Sequence, residues 1–270
     1  MDICTYCTGS FALVISFDFI IFSEKKPFLN NNNEMSTVNY NKYKIITHSR
    51  SICKLSLRRN AIHRCGASVL SHIWAISAAH CIYGYERSPH LFSLRAGSRM
   101  RSTGGVIVRV TQIFRHPLYN PETENYDVSL LRTQPIVLRG SLISSIKLPK
   151  VNDDLPENTA AIVSGWGQLS SSETTSSRVL KYTSVYIFNQ EECRRSLKDH
   201  GTVTDAMFCA AARNTDACQG DSGGPIQVNG TTLIGVVSWG VGCADPYYPG
   251  VYTRLSHPAI RRWIKLISHL

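Results

Sequence analysis

Apolar and polar positions fall into two regimes along this chain. From Lys54 onward, short β-branched and aromatic runs alternate with clusters of Gly, Pro, Asn and Ser; examples are Ser68–Ser77, Gly105–Phe114, Val128–Arg132, Ala160–Ser164, Val179–Phe188, Thr232–Trp239 and Gly250–Arg254. Runs of that kind predict strands. No helical pattern of about 10–15 residues separates them, so they point to an antiparallel all-β sandwich or barrel rather than to β-α-β units. The final segment is different. Ile260, Trp263, Ile264 and Ile267 stand at i, i+3, i+4 and i+7, with Arg261, Arg262 and Lys265 off that stripe. Pro258–Leu270 is therefore predicted as an amphipathic helix docked by its apolar face. Near the start, the run Phe11–Phe22 is interrupted by Asp18, and it is shorter than the roughly 20 apolar residues that cross a bilayer. Residues 1–22 read as a weak signal peptide or hydrophobic leader, since the first ten carry no Lys or Arg. Residues 23–44 are polar, with Asn30 to Asn33 in a row, and read as a linker. The folded domain is expected over 45–270.

Composition narrows the classes. Apolar residues at 43% against 18% charged exclude wholesale disorder. Lys and Arg total 29 against 19 acids, a formal charge of +10. Part of that excess is local: between Cys53 and Val110 there are nine Lys or Arg residues and one acid, Glu86. Such a run is either a solvated face or a surface for an anionic glycan or an acidic protein. Nucleic acid is not expected, because no recognised nucleic-acid-binding motif accompanies the charge. Nine cysteines stand at positions 4, 7, 53, 65, 81, 193, 209, 218 and 243. The only C-x-x-C pair, Cys4 and Cys7, has no nearby His and no second pair, so no structural metal is expected.

Three segments carry chemistry. Ala78-Ala79-His80-Cys81 follows the apolar Ile73-Trp74-Ala75-Ile76; Asp127 opens the apolar run Val128-Ser129-Leu130-Leu131; and Gly220-Asp221-Ser222-Gly223-Gly224-Pro225 places an Asp-Ser pair among three glycines. A lone His or a turn Asp carries little information. The third segment carries more, because glycines at that density cost backbone entropy unless the main chain must turn tightly and present its N–H groups.

Taken in order, the three segments resemble the trypsin/chymotrypsin-type serine proteases. Ser164-Gly165-Trp166-Gly167, Val237-Ser238-Trp239-Gly240 and Pro249-Gly250-Val251-Tyr252-Thr253 extend the resemblance over roughly Lys54 to Leu270. It implies two six-stranded antiparallel β-barrels, near 45–147 and 158–250, with a C-terminal helix. The implied chemistry is acyl transfer. Ser222 is then the nucleophile, His80 the base and later the acid, and Asp127 the group that orients the imidazole. The backbone N–H groups of Gly220 and Ser222 form the oxyanion hole. Disulfides are implied for Cys65 with Cys81, Cys193 with Cys209 and Cys218 with Cys243, which leaves Cys4, Cys7 and Cys53 without assigned partners. The bridges imply an oxidising, extracellular setting, in which the sequon Asn229-Gly230-Thr231 could carry a glycan.

Substrate choice is implied in the same way. Asp216, six residues before Ser222, stands where trypsin-like members place the carboxylate at the floor of the pocket. Gly240 and Gly250 match the pocket walls, Ser238 and Trp239 line it, and Ala217 replaces a Ser. The expected substrates are polypeptides cut after Arg or Lys, with a mild preference for Arg, whose guanidinium can meet a carboxylate with two hydrogen bonds. Glu124 borders the second and fourth subsites. Protein protease inhibitors are expected partners, and the chain is expected to be a monomer needing no cofactor.

The sequence departs from the family pattern at the activation site. Family zymogens are cut to release an Ile-Val-Gly-Gly terminus whose amine pairs with the Asp preceding the nucleophile, here Asp221. No Ile-Val-Gly-Gly occurs in this chain. The nearest candidate is Ile45, after Lys44, in Ile45-Ile46-Thr47-His48, which would make residues 23–44 an activation peptide and pair Ile45 with Asp221. The loop Arg95–Arg101, which resembles a calcium loop, carries arginines and no acids, and calcium requires hard oxygen ligands. A second reading retains the fold without the activity: a binding homologue that acts through its basic face.

Overall fold

The structure is a computed structural model that describes residues 44–45, 54–139, 142–170, 173, 175–212, 217–243, 245 and 247–270. The leader, the Asn-rich segment, Cys4, Cys7, Cys53 and Asp216 lie outside the described residues. The strands are β1 (Lys44–Ile45), β2 (Lys54–Arg59), β3 (Ile62–Val69), β4 (Trp74–Ser77), β5 (Phe92–Ala96), β6 (Val106–Arg115) and β7 (Ser129–Thr133), followed by β8 (Ala160–Gly165), β9 (Lys181–Ile187), β10 (Met207–Ala211), β11 (Pro225–Val228), β12 (Thr232–Trp239) and β13 (Gly250–Arg254). Strands β2-β3-β4-β7-β6-β5 close the first barrel. The second closes in the order β8-β9-β10-β13-β12-β11, with β11 paired back to β8. All these pairings are antiparallel. The expectation of two six-stranded antiparallel barrels is met.

One boundary differs. Lys44 and Ile45 do not begin the first barrel; they pair with Tyr182 and Lys181 on β9, as a short flanking strand of the second. The run Ser68–Ser77, read as one stretch, is two strands. The chain reverses at Leu70–Ile73, where the amides of Leu70 and Ser71 both donate to the Trp74 carbonyl.

Three apolar clusters organise the molecule. Leu55, Leu57, Ala67, Val69, Leu94 and Leu131 fill the first barrel. Val163, Val185, Phe208, Ile226, Ile234 and Tyr252 fill the second. Each fully buried Leu, Ile or Phe contributes about 1.5–3 kcal/mol over an exposed one. A third cluster joins Trp74, Ile76 and Leu130 of the first barrel to Leu233 and Val236 of the second, and to Ile260, Trp263 and Ile264 of helix α2 (Pro258–Ser268). The predicted terminal helix thus forms, with Pro258 in its first turn and three of its four stripe residues buried. The sequence pattern gave no sign of α1 (Gln190–Ser196), seven residues long and capped by Asn189 Oδ1 on the amides of Glu191 and Glu192.

Candidate active site

His80 follows β4 and sits between the buried Ala79 and the partly buried Cys81. The bridge Cys65–Cys81 ties its turn to β3. Asp127 lies just before β7 and is fully buried. Its carboxylate accepts from the His80 backbone amide at 2.9 Å and faces the His80 Nδ1 at 2.8 Å. Ser238 Oγ, from the second barrel, donates to the same carboxylate at 2.6 Å, and Thr253 Oγ1 donates to the Asp127 carbonyl at 2.6 Å. A carboxylate accepts only, so Nδ1 must donate, and the lone pair of the neutral ring is left on Nε2. Burial alone would lower the His80 pKa. The charge and hydrogen bond of Asp127 outweigh it, with a smaller push from Glu124, and hold the imidazole above its ordinary 6.5. Glu124 Oε2 lies 3.9 Å from His80 Nδ1 and accepts from Tyr119 Oη at 2.8 Å.

Ser222 sits on the loop leading into β11 and is half-buried. The loop is fixed from several sides. The Ser222 carbonyl accepts from Gly66 N at 2.7 Å, Gly223 N donates to Val237 O at 2.8 Å, and Cys218 is bridged to Cys243. Gly220 has φ +96°, a conformation that side chains disfavour. Among the described residues, the amides of Gly220 and Ser222 donate to no backbone carbonyl. A group that places charge near them meets two free donors.

Behind this loop, around the expected Asp221, lies a buried polar cluster whose other members sequence reasoning did not single out. Asp221 Oδ1 accepts from Gly167 N at 2.9 Å, and Oδ2 faces Cys218 N at 3.3 Å. A Cβ on Gly165 would stand 1.4 Å from Asp221 Oδ1, which explains the glycine of Ser164-Gly165-Trp166-Gly167. Lys54 Nζ is 3.9 Å from Asp221 Oδ1. His63 Nε2 lies 3.1 Å from the Gly220 carbonyl, and its Nδ1 is 2.7 Å from Ser56 Oγ. Burial pushes His63 down to about 4, with Lys54 adding to the effect. The ring is therefore neutral at pH 7, donating from Nε2 to Gly220 and accepting from Ser56. None of Lys54, Ser56 and His63 carries a motif. Their one signal is that the strand Lys54-Leu55-Ser56-Leu57 opens the folded domain.

Ala217, Ser222, Ser238, Trp239, Gly240 and Gly250 line one cleft. Among the described residues, a Cβ on Gly240 would meet Gly250 Cα at 3.8 Å and nothing nearer. The structure therefore brings Ser222 together with the expected pocket residues other than Asp216, which lies outside the described residues, and Ser238 joins that cleft to Asp127. The three expected bridges, Cys65–Cys81, Cys193–Cys209 and Cys218–Cys243, are all present. Ile45 is placed on β1 opposite Lys181. Of the basic run, Lys54 is buried, whereas Arg58 of β2, Arg95 of β5 and Arg109 of β6 lie on adjacent strands of the first barrel with part of each side chain in solvent. No helix among the described residues is long and apolar enough to cross a membrane.

Comparison with known proteins agrees with this geometry. The family model for trypsin matches residues 40–264. Trypsin 5G1 of Aedes aegypti is 40% identical over 210 residues, covering 77% of this chain and 76% of that protein. A trypsin of Simulium vittatum is 41% identical over 193 residues, 71% of this chain and 76% of the relative. Trypsin beta of Drosophila erecta is 41% identical over 213 residues, 78% and 81% of the two chains. With the family model spanning most of the chain and relatives near two-fifths identity over three-quarters of it, this protein belongs to the trypsin family of serine endopeptidases.

Proposed function

We propose that this protein is a secreted endopeptidase that hydrolyses polypeptides after Arg or Lys through an acyl-enzyme on Ser222. The observation that carries the reading is the fully buried Asp127, bonded to both nitrogens that His80 offers it, with Ser238 linking that pair to the cleft holding Ser222. Ser222 Oγ attacks the scissile carbonyl carbon while His80 Nε2 takes the hydroxyl proton. The carbonyl π-bond electrons move to oxygen, and that oxyanion is met by the Gly220 and Ser222 amides. Collapse breaks the C–N bond, and the proton passes from His80 to the leaving amine. Water repeats the sequence on the ester: its proton goes to His80, the acid product leaves, and Ser222 recovers its proton. Asp127 stays anionic throughout and stabilises the imidazolium.

Specificity follows from the cleft. Gly240 and Gly250 line the cleft without side chains of their own, and Asp216, one residue before the cleft-lining Ala217, supplies the carboxylate for a cation. Secretion is supported by three disulfides, which persist in oxidising compartments.

The test is turnover of peptide amides ending in Arg, Lys or Phe, with Ser222→Ala as control. Arg and Lys substrates are expected to exceed Phe by about 10²-fold or more in kcat/KM, the scale on which an unpaired buried group rejects a mismatched substrate. Absence of turnover in every processed form would leave a binding homologue in place of a peptidase.

A further inference from the structure

Asp221 poses an electrostatic problem. Its side chain is 11% exposed, and a buried carboxylate without a counter-charge costs several kcal/mol. Two backbone amides reach it, but amides do not carry a full charge. The family solution, an amine freed by cleavage, needs a terminus this sequence does not spell: Ile45 carries a peptide amide and is paired on β1 opposite Lys181. The cation beside Asp221 comes instead from within the chain. Lys54 opens β2 in the first barrel, its side chain is 2% exposed, and its ammonium stands 3.9 Å from Asp221 Oδ1.

We propose that Lys54 is the resident counter-ion of Asp221, a positioning residue that holds the Gly220–Ser222 loop in working order in the uncut chain. The proposal rests on the peptidase reading above. Three further observations support it. First, the space around the ammonium is made by residues without side chains: a Cβ on Gly165 would lie 2.8 Å from Lys54 Nζ, one on Gly224 2.9 Å, and one on Gly66 3.3 Å from Lys54 Cε. Second, the indole of Trp166 has its ring centre 5.5 Å from Nζ, a face that favours a cation. Third, the loop is held from the first barrel at two neighbouring points. Lys54 Nζ stands 3.9 Å from Asp221 Oδ1, and His63 Nε2 lies 3.1 Å from the Gly220 carbonyl. The ammonium thereby holds the residue before the nucleophile, and the imidazole holds the carbonyl that precedes it.

The consequence is activity without N-terminal cleavage. The experiment uses the full chain expressed in a secretory host, with intact mass showing no cut between residues 23 and 54. Reaction of Ser222 with an arginine-mimetic phosphonate and turnover of an Arg amide are both measured. The uncut wild-type chain is expected to react and turn over. Lys54→Ala is expected to lose about 10²-fold or more in kcat, the cost of a missing oxyanion donor, with n-propylammonium restoring a large part and n-propanol restoring none. A purely structural lysine would respond to both additives or to neither. Lys54→Met, uncharged and of similar length, is made in parallel so that a folding failure of the alanine variant does not decide the matter; it is expected to melt as a folded protein and stay inactive. If either folded variant keeps wild-type activity, the inference is overturned. It is equally overturned if the uncut wild type is inert while a chain cut at Lys44–Ile45 is active, an outcome that leaves the peptidase reading standing. If neither form is active, the peptidase reading fails and the inference fails with it.

Discussion

The segments around Asp127 and Asp221 hold the same kind of side chain in the same kind of place, and they satisfy it differently. Asp127 is fully buried and surrounded by side chains that can exchange protons: the His80 imidazole and the Ser238 hydroxyl, with the His80 amide completing the set. Asp221 is met by the backbone amides of Gly167 and Cys218 and by the Lys54 ammonium. The first arrangement raises the affinity of a neighbouring base for a proton. The second surrounds its carboxylate with donors that take no part in the proton transfer, so it fixes a conformation. Burial alone does not tell a catalytic carboxylate from an anchoring one. The partners do.

The strongest way to break this contrast is Asp127→Asn. With the anion gone, the His80 tautomer is no longer dictated, and kcat/KM on an Arg amide is expected to fall by about 10⁴-fold, the loss known for the corresponding change in this kind of triad. The residual activity should show its acid limb at lower pH than wild type, because the largest upward influence on His80 has been removed. Retention of more than about a tenth of the activity, far above that expectation, would make Asp127 an anchor of the Asp221 kind. Next in size is Gly165→Ala. Its Cβ would overlap Asp221 Oδ1, so the carboxylate must leave its amide and its lysine. Loss of a buried ion pair of this kind costs about 3–5 kcal/mol, visible as a lower melting temperature, and activity should drop by about 10²–10³-fold as the oxyanion loop loosens. The acid limb should not move. If it does, the two regions are coupled and the distinction fails.

How much of this was legible beforehand differs between the same two regions. The Ser222 segment stood out by its own glycines, whereas His80 and Asp127 were legible only through the ordered resemblance of all three segments to the family. The barrels were legible as a class because alternating runs and turn clusters report the strand period. The partners of Asp221 were not. In β2, Leu55 and Leu57 point into the first barrel, and period-two alternation then assigns Lys54 and Ser56 to solvent. Both are buried nonetheless, because β2 lies between its own core and the second barrel. A strand covered on both faces gives no pattern that separates a buried polar position from an exposed one. The reversal at Leu70–Ile73 was hidden for a related reason: Leu70 is buried against Trp74 and the helix, so the turn stays apolar and the run looks continuous. Helix α1 was missed because seven residues are too few to show a helical period.

The smallest effect probes the margin of the catalytic region, where the neighbour of His80 is partly in solvent. Glu124 is 31% exposed on its side chain and stands 3.9 Å from His80 Nδ1. Its own pKa is raised, first by burial and then by the charge of Asp127, with the Tyr119 hydrogen bond working against both. As an anion it adds to the upward push on His80. Glu124→Gln keeps an acceptor for Tyr119 Oη and removes the charge. His80 must be neutral to take the Ser222 proton, so a group that raises its pKa costs activity on the acid side and nothing at alkaline pH. The variant is therefore expected to be faster than wild type at pH 6 and equal to it at pH 9. The gain should stay below about fivefold, the ceiling set by the ~1 kcal/mol of an ion pair that water can reach, and it should shrink in high salt. A variant slower at both pH values would show that Glu124 serves substrate binding rather than the charge state of His80. The influence on the base would then come from Asp127 alone.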